Sequence, residues 1–117
     1  EPALFNLALT KQKQMHWKES INRFNNYIAV TGLRPSALTQ IGFNYLNLKD
    51  WTNAQSFFEK SLRIVPTDMN TLILLGDAFL AQGHARKAEE KYRIALNLNK
   101  DSGLEKIIKS KIKNISK

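Results

Sequence analysis

Two histidines, one adjacent pair of glutamates and a lysine-rich end are the groups best suited to chemistry in this chain. His16 and His84 each fall just ahead of an amphipathic stretch, in separate loops too far apart to chelate one metal. No cysteine and no Asp/Glu cluster joins them, and a structural zinc site needs four such ligands. They read as cap or turn residues. Glu89 and Glu90 are neighbours in a helical pattern, so their side chains point about 100° apart. Carboxylates so splayed do not share one substrate as acid and base. There is no Gly-rich phosphate loop and no nucleophile elbow. Asn114-Ile115-Ser116 fits a glycosylation sequon, a triplet common by chance. The chain therefore reads as non-catalytic, with no metal site and no cofactor.

The elements that hold these residues have a period. Gly42 and Gly76 are 34 residues apart, and Leu38/Leu72, Ile41/Leu75, Tyr45/Phe79, Ala54/Ala88, Phe58/Tyr92, Leu62/Leu96 and Ile64/Leu98 match at the same offset. Self-similarity at such a period marks a stacked helical repeat, each unit burying its apolar face on the next. Leu38, Ile41, Gly42, Tyr45 and Leu48 lie on one helical face, and Ala54, Phe57, Phe58, Leu62 and Val65 on another. Asp50 or Thr52 is placed to cap the second helix, and Pro66 ends it. Thr67 and Asp68 offer caps for the next helix, which runs to Gly83; its partner spans about His84 to Leu98. Glycine in mid-helix costs about 0.5–1 kcal/mol relative to alanine. Gly42 and Gly76 accept that cost, so each is expected to leave room for a neighbouring ring. Ala54, Ala88 and Ala95 are the other small partners, against Tyr45, Phe58, Phe79 and Tyr92.

These residues resemble the tetratricopeptide repeat family. Its Trp/Leu, Leu-Gly, Tyr, Ala, Phe, Ala, Pro pattern reads as Leu38, Ile41-Gly42, Tyr45, Ala54, Phe58, Ser61 and Pro66. It reads again as Leu72, Leu75-Gly76, Phe79, Ala88, Tyr92 and Ala95, with Lys100 in the proline slot. A degenerate copy lies upstream: Leu4, Leu7, Ala8, Trp17, Ser20, Phe24, Ile28 and Val30, with Lys11 in an aromatic slot and Gly32 in the proline slot. The resemblance covers residues 1–102. It implies an all-α, right-handed helical-repeat solenoid of three antiparallel helix pairs plus a C-terminal capping helix. The repeats span 1–34, 35–68 and 69–102, and the cap spans 103–117.

The cap has a pattern of its own. Ser102 and Glu105 read as a capping box that starts a seventh helix. Leu104, Ile107, Ile108, Ile112 and Ile115 form its apolar stripe, expected to cover the last repeat. Lys106, Lys109, Lys113 and Lys117 lie opposite, as a solvated face that halts further stacking. Net charge is +3, 0, +1 and +4 over the three repeats and the last fifteen residues, so half of the +8 sits in that tail. A basic amphipathic helix that touches nucleic acid or an anionic surface is the alternative. Against it, the apolar face is needed for capping and no aromatic stands among the lysines to stack on bases.

Family geometry implies that the first helix of each pair lines a concave groove. The groove positions are then Phe5, Leu9, Gln12 and Lys13 in the first repeat, and Thr39, Phe43, Leu46 and Asn47 in the second. The third contributes Ile73, Asp77, Leu80 and Ala81. Phe43 is the leading anchor for a partner, because apolar side chains gain nothing in water. Asp77, a lone acid in an apolar strip, is placed to pair with a basic ligand residue. A helix or extended peptide with apolar anchors suits such a groove. The family's carboxylate clamp uses a lysine three residues before the glycine and an asparagine just after it. Those slots hold Phe5 and Leu9, Thr39 and Phe43, and Ile73 and Asp77, so no cation is offered. The expected partner is thus another protein. An open N-terminal edge near Leu4 and Leu7 leaves room for self-association. Apolar runs fall well short of the about 18 residues a membrane-spanning helix needs. The chain starts Glu1-Pro2-Ala3 without a methionine and reads as a piece of a longer protein or a processed one, so localisation is left open.

Overall fold

The connections between paired helices repeat as faithfully as the helices. In the computed structural model, which describes residues 2–98 and 103–115, Met15, Lys49 and Gly83 all take a positive φ, of 63°, 62° and 84°. One residue further on, the backbone N–H groups of His16, Asp50 and His84 close back onto the carbonyls of Lys11, Tyr45 and Phe79 at 2.9, 3.0 and 2.9 Å. This is the left-handed helix stop in which a bond from beyond the terminus satisfies an orphan carbonyl. Glycine adopts that φ without strain; Met15 and Lys49 adopt it in spite of their Cβ atoms. His16 and His84 are thus turn residues by their backbones. His16 makes no side-chain cap hydrogen bond to the helix that follows it.

Among the described residues seven helices result: α1 (Pro2–Lys13), α2 (Trp17–Thr31), α3 (Pro35–Asn47), α4 (Trp51–Ile64), α5 (Met69–Ala81), α6 (Ala85–Leu98) and α7 (Glu105–Ile115). Their starts follow local chemistry. Pro35 opens α3 from the first turn, where its missing N–H is no loss. Asp50, rather than Thr52, caps α4 by accepting from the Asn53 N–H, and Asp68 caps α5 through Thr71. Ser102 lies outside the described residues. None of the described helices is long and apolar enough to cross a membrane.

The helices pair as α1/α2, α3/α4 and α5/α6, and each second helix packs on the next first helix, α2 on α3, α4 on α5 and α6 on α7. The result is an all-α solenoid, 42 × 27 × 23 Å. The two mid-helix glycines do what their neighbours require. A Cβ on Gly42 would lie 2.5 Å from the Phe58 ring, and one on Gly76 would overlap the Tyr92 ring. Phe58, Tyr92, Ala54, Ala88 and Ala95 are fully buried.

Two apolar clusters form along the stack. One gathers Ala8, Ile21, Phe24, Ala37 and Ile41 between the first two pairs. The other runs from Ala54 and Phe58 through Leu72, Leu75 and Tyr92 to Ile108 and Ile112 of α7. The capping stripe is narrower than its sequence suggests. Ile108 and Ile112 are buried and Leu104 and Ile115 pack beside them, but Ile107 is 50% exposed. The wheel position of Ile107 lies at the margin of the stripe, where α6 no longer covers it.

Candidate binding groove

Three first helices meet along one side of the solenoid, and a hollow of about 200 Å3 opens between them. Gln12 of α1, Thr39, Gln40 and Phe43 of α3, and Asn70 and Leu74 of α5 line it. Phe43 is half-buried, its ring edge-on to Trp17 at 6.2 Å, so one flank is supported and the other faces the hollow. No lining residue is charged. The hollow offers side-chain amides around an apolar wall, which suits a neutral ligand.

The amides are held by a relay that runs inward from the hollow. The Ser20 hydroxyl donates to the Ala8 carbonyl at 2.8 Å and accepts from Asn44 Nδ2 at 2.9 Å. Gln12 Nε2 then donates to Asn44 Oδ1 and to Gln40 Oε1, each at 3.0 Å. Ser20 and Asn44 are fully buried, so water does not compete for these bonds. A second polar cluster ties α3 to its neighbours: the Thr39 hydroxyl bonds those of Ser61 and Thr71, and Ser61 donates to the Pro35 carbonyl. Among the described residues no buried side-chain nitrogen or oxygen lacks a partner.

The expected groove residues do not all line one hollow. Thr39 and Phe43 border the hollow together with Gln12, but Thr39 is only 5% exposed and spends its hydroxyl internally. Phe5 packs edge-on against Phe24 and Tyr27 and borders a separate hollow with Pro2, Asn6 and Ser36. Leu9 joins the first apolar cluster, Leu46 rests on the second, and Ile73 is part of the second at 7% exposure. Asn47 is exposed and donates to the Phe43 carbonyl, while Leu80 is 41% exposed. Gln40, Asn70 and Leu74 line the hollow without having been singled out by pattern. A signal was available: Gln40 and Leu74 occupy one slot of the repeat, and a slot that tolerates both amide and leucine is not committed to the core.

Asp77 is not a lone acid. It accepts from the Tyr92 hydroxyl and pairs with Lys111 Nζ of α7 at 3.0 Å. Burial, aided by the Asp77 hydrogen bond and charge, pushes the Tyr92 hydroxyl above its ordinary range. Lys111 lies 34 residues beyond Asp77, so α7 stands where the first helix of a fourth pair would stand. The same offset puts Lys106, Lys109 and Lys113 in the slots of Leu72, Leu75 and Phe79, which face the second helix of their own pair. All three lysines are exposed, and Lys109 pairs with Glu105 at 2.8 Å. Lys117 lies outside the described residues.

A helix-pair solenoid of this period and stacking defines a class of repeat protein, and comparison with known proteins gives it its name. The tetratricopeptide repeat family matches residues 33–101, and the chain belongs to that family. No curated protein sequence matches the chain. Solved structures do match in fold. The Yersinia enterocolitica type III secretion chaperone SycD, in complex with a peptide of the translocator YopD, superposes with a TM-score of 0.91 at 13% identity, over 98% of this chain and 91% of that one. The first repeat domain of Spaghetti (RPAP3), bound to the HSP90 peptide SRMEEVD, gives 0.89 at 18% identity, over 97% and 88%. The second such domain of human RPAP3, in complex with the HSP70 peptide SGPTIEEVD, gives 0.85 at 14%, over 96% and 91%.

Proposed function

We propose that this chain is a non-catalytic protein-interaction module that holds a segment of a partner protein in the hollow between α1, α3 and α5. The observation that carries the reading is the pairing of a half-buried aromatic, Phe43, with uncharged amides on a concave surface to which three helices contribute. Aromatic anchors beside polar contacts are where binding energy concentrates. Similar folds carry peptides: SycD that of YopD, and the RPAP3 domains those of HSP90 and HSP70.

The chemistry differs at the end of the ligand. The HSP90 and HSP70 peptides both end in the sequence EEVD, whereas the slots that would clamp a terminal carboxylate here hold Phe5, Leu9, Thr39, Phe43, Ile73 and Asp77. Asp77 would repel an anion, and the cation beside it, Lys111, is already paired with it. An apolar-anchored segment is the better fit. The test is a pull-down from lysate at moderate salt, wild type beside Phe43→Glu, read by mass spectrometry with thermal melting as the check on folding. A protein retained by wild type and lost by a folded Phe43→Glu supports the groove. Identical captures from both remove it.

A further inference from the structure

The polarity of the amide relay is fixed from its inner end, and this has a consequence at its outer end. The Ala8 carbonyl can only accept, so the Ser20 hydroxyl must donate to it. Ser20 is then left to accept, which turns Asn44 Nδ2 toward it and Asn44 Oδ1 outward. Asn44 Oδ1 can only accept, so Gln12 presents Nε2 to it. Gln12 Nε2 has two hydrogens, and the second goes to Gln40 Oε1. Each amide orientation is dictated by the one behind it. The groups left over are an acceptor, Gln12 Oε1, and a donor, Gln40 Nε2, on two hydrogen-bonded side chains that both line the hollow.

A neighbouring acceptor and donor of fixed sense are complementary to one edge of an extended backbone, where an N–H and a C=O present themselves together. We infer that Gln12 and Gln40 read the main chain of the bound segment: Gln12 Oε1 accepts from a ligand N–H and Gln40 Nε2 donates to a ligand C=O. This rests on the groove reading above and adds the form of the ligand. The occupant is an uncharged stretch within a partner protein, bound in extended conformation, with one apolar side chain against Phe43 and Leu74. Three features of the site select it. A helical ligand has its N–H and C=O groups tied up internally and cannot supply both partners. The six lining residues carry no charge, so neither a phosphate backbone nor a chain-terminal carboxylate is neutralised there. A hollow of about 200 Å3 has room for a single large side chain rather than a row of them. Because the relay holds both amides before binding, little side-chain freedom is lost when the ligand arrives, which favours affinity.

The experiment uses the full chain and a displayed library of random twelve-residue segments fused at both ends, so that no free terminus is offered. The peptide selected is resynthesised with blocked ends and with each backbone amide replaced in turn by an ester, which deletes one N–H. One ester position should weaken binding to wild type about tenfold, the scale of one lost hydrogen bond. That same ester should cost nothing further against Gln12→Met, and Gln40→Leu should bind the parent peptide about tenfold more weakly. Thermal melting confirms that both variants fold. If binding is lost with Phe43→Glu but every ester and both glutamine variants bind like the parent, the groove stands and backbone reading falls. If Phe43→Glu also binds like wild type, or no segment is enriched, both readings fall. Preferential capture of a single-stranded DNA oligonucleotide over the library would overturn both as well.

Discussion

The solenoid is joined differently at its two ends. Between the first two pairs, an apolar cluster is threaded by the Ala8–Ser20–Asn44–Gln12–Gln40 relay. Between the third pair and α7, Ile108 and Ile112 enter a continuous apolar cluster, and one ion pair, Asp77–Lys111, sits at its border. The difference follows the places where one repeat departs from the next. Ser20 fills a slot that Ala54 and Ala88 hold elsewhere, and Asn44 fills that of Ala78. Each polar replacement meets another: Ser20 finds Asn44, and Ser61 finds Thr39 and Thr71. A repeat can drift from its consensus when the hydroxyl or amide it introduces is satisfied by the adjoining unit.

This contrast can be broken from either side. The largest effect is expected at the apolar end. Ile108→Ala removes a fully buried side chain from the contact between α6 and α7, and should cost about 2–5 kcal/mol in urea unfolding. At the polar end, Asn44→Ala leaves Ser20 and Gln12 short of partners and should cost about 1–3 kcal/mol. Adding Ser20→Ala should recover part of that loss, because two apolar groups facing each other carry no unmet polar demand. Absence of any recovery would mean that the relay is incidental to the junction.

A pH experiment separates Tyr92 from the rest. Its unfolded hydroxyl ionises near 10.0, while the folded one holds its proton to higher pH. The native state therefore binds more protons than the unfolded state above pH 10, and stability falls there as pH rises; below pH 10 the contribution is intact. Unfolding free energy measured from pH 9 to 11 should decline more steeply for wild type than for Tyr92→Phe, by up to about one proton. Lys111→Gln should have the smallest effect. The pair is about a third exposed at Lys111, so its loss should cost about 0–1 kcal/mol, and less at high salt.

Much of the fold could be read from local pattern, because the signals were local. The glycines admit Phe58 and Tyr92 from within their own repeats, the Asp50 and Asp68 caps reach only three residues along the chain, and the 34-residue offset shows in the sequence itself. The site was less legible because it is assembled across repeats. Nothing near Thr39 in sequence says that Ser61 and Thr71 will claim its hydroxyl. Nothing near Asp77 says that Lys111 will reach it, since the lysines of α7 erase the apolar identities that carry the register. Ile107 shows the limit of a helical wheel: the wheel ranks positions around a helix, while the extent of burial depends on how much of it the neighbour covers.

The contact pattern carries a kinetic consequence. Nearly all the contacts between helices join elements adjacent along the chain, with exceptions between first helices such as α1 with α3 through Gln12 and α3 with α5. Loop closure is therefore short everywhere, and domains rich in such local contacts fold in microseconds to milliseconds. No helix must wait for a distant partner: α1 and α2 can pack once both exist, and each later helix finds its docking face already made. During synthesis, which adds roughly 5–20 residues per second, the chain can acquire its shape pair by pair in the order of its sequence.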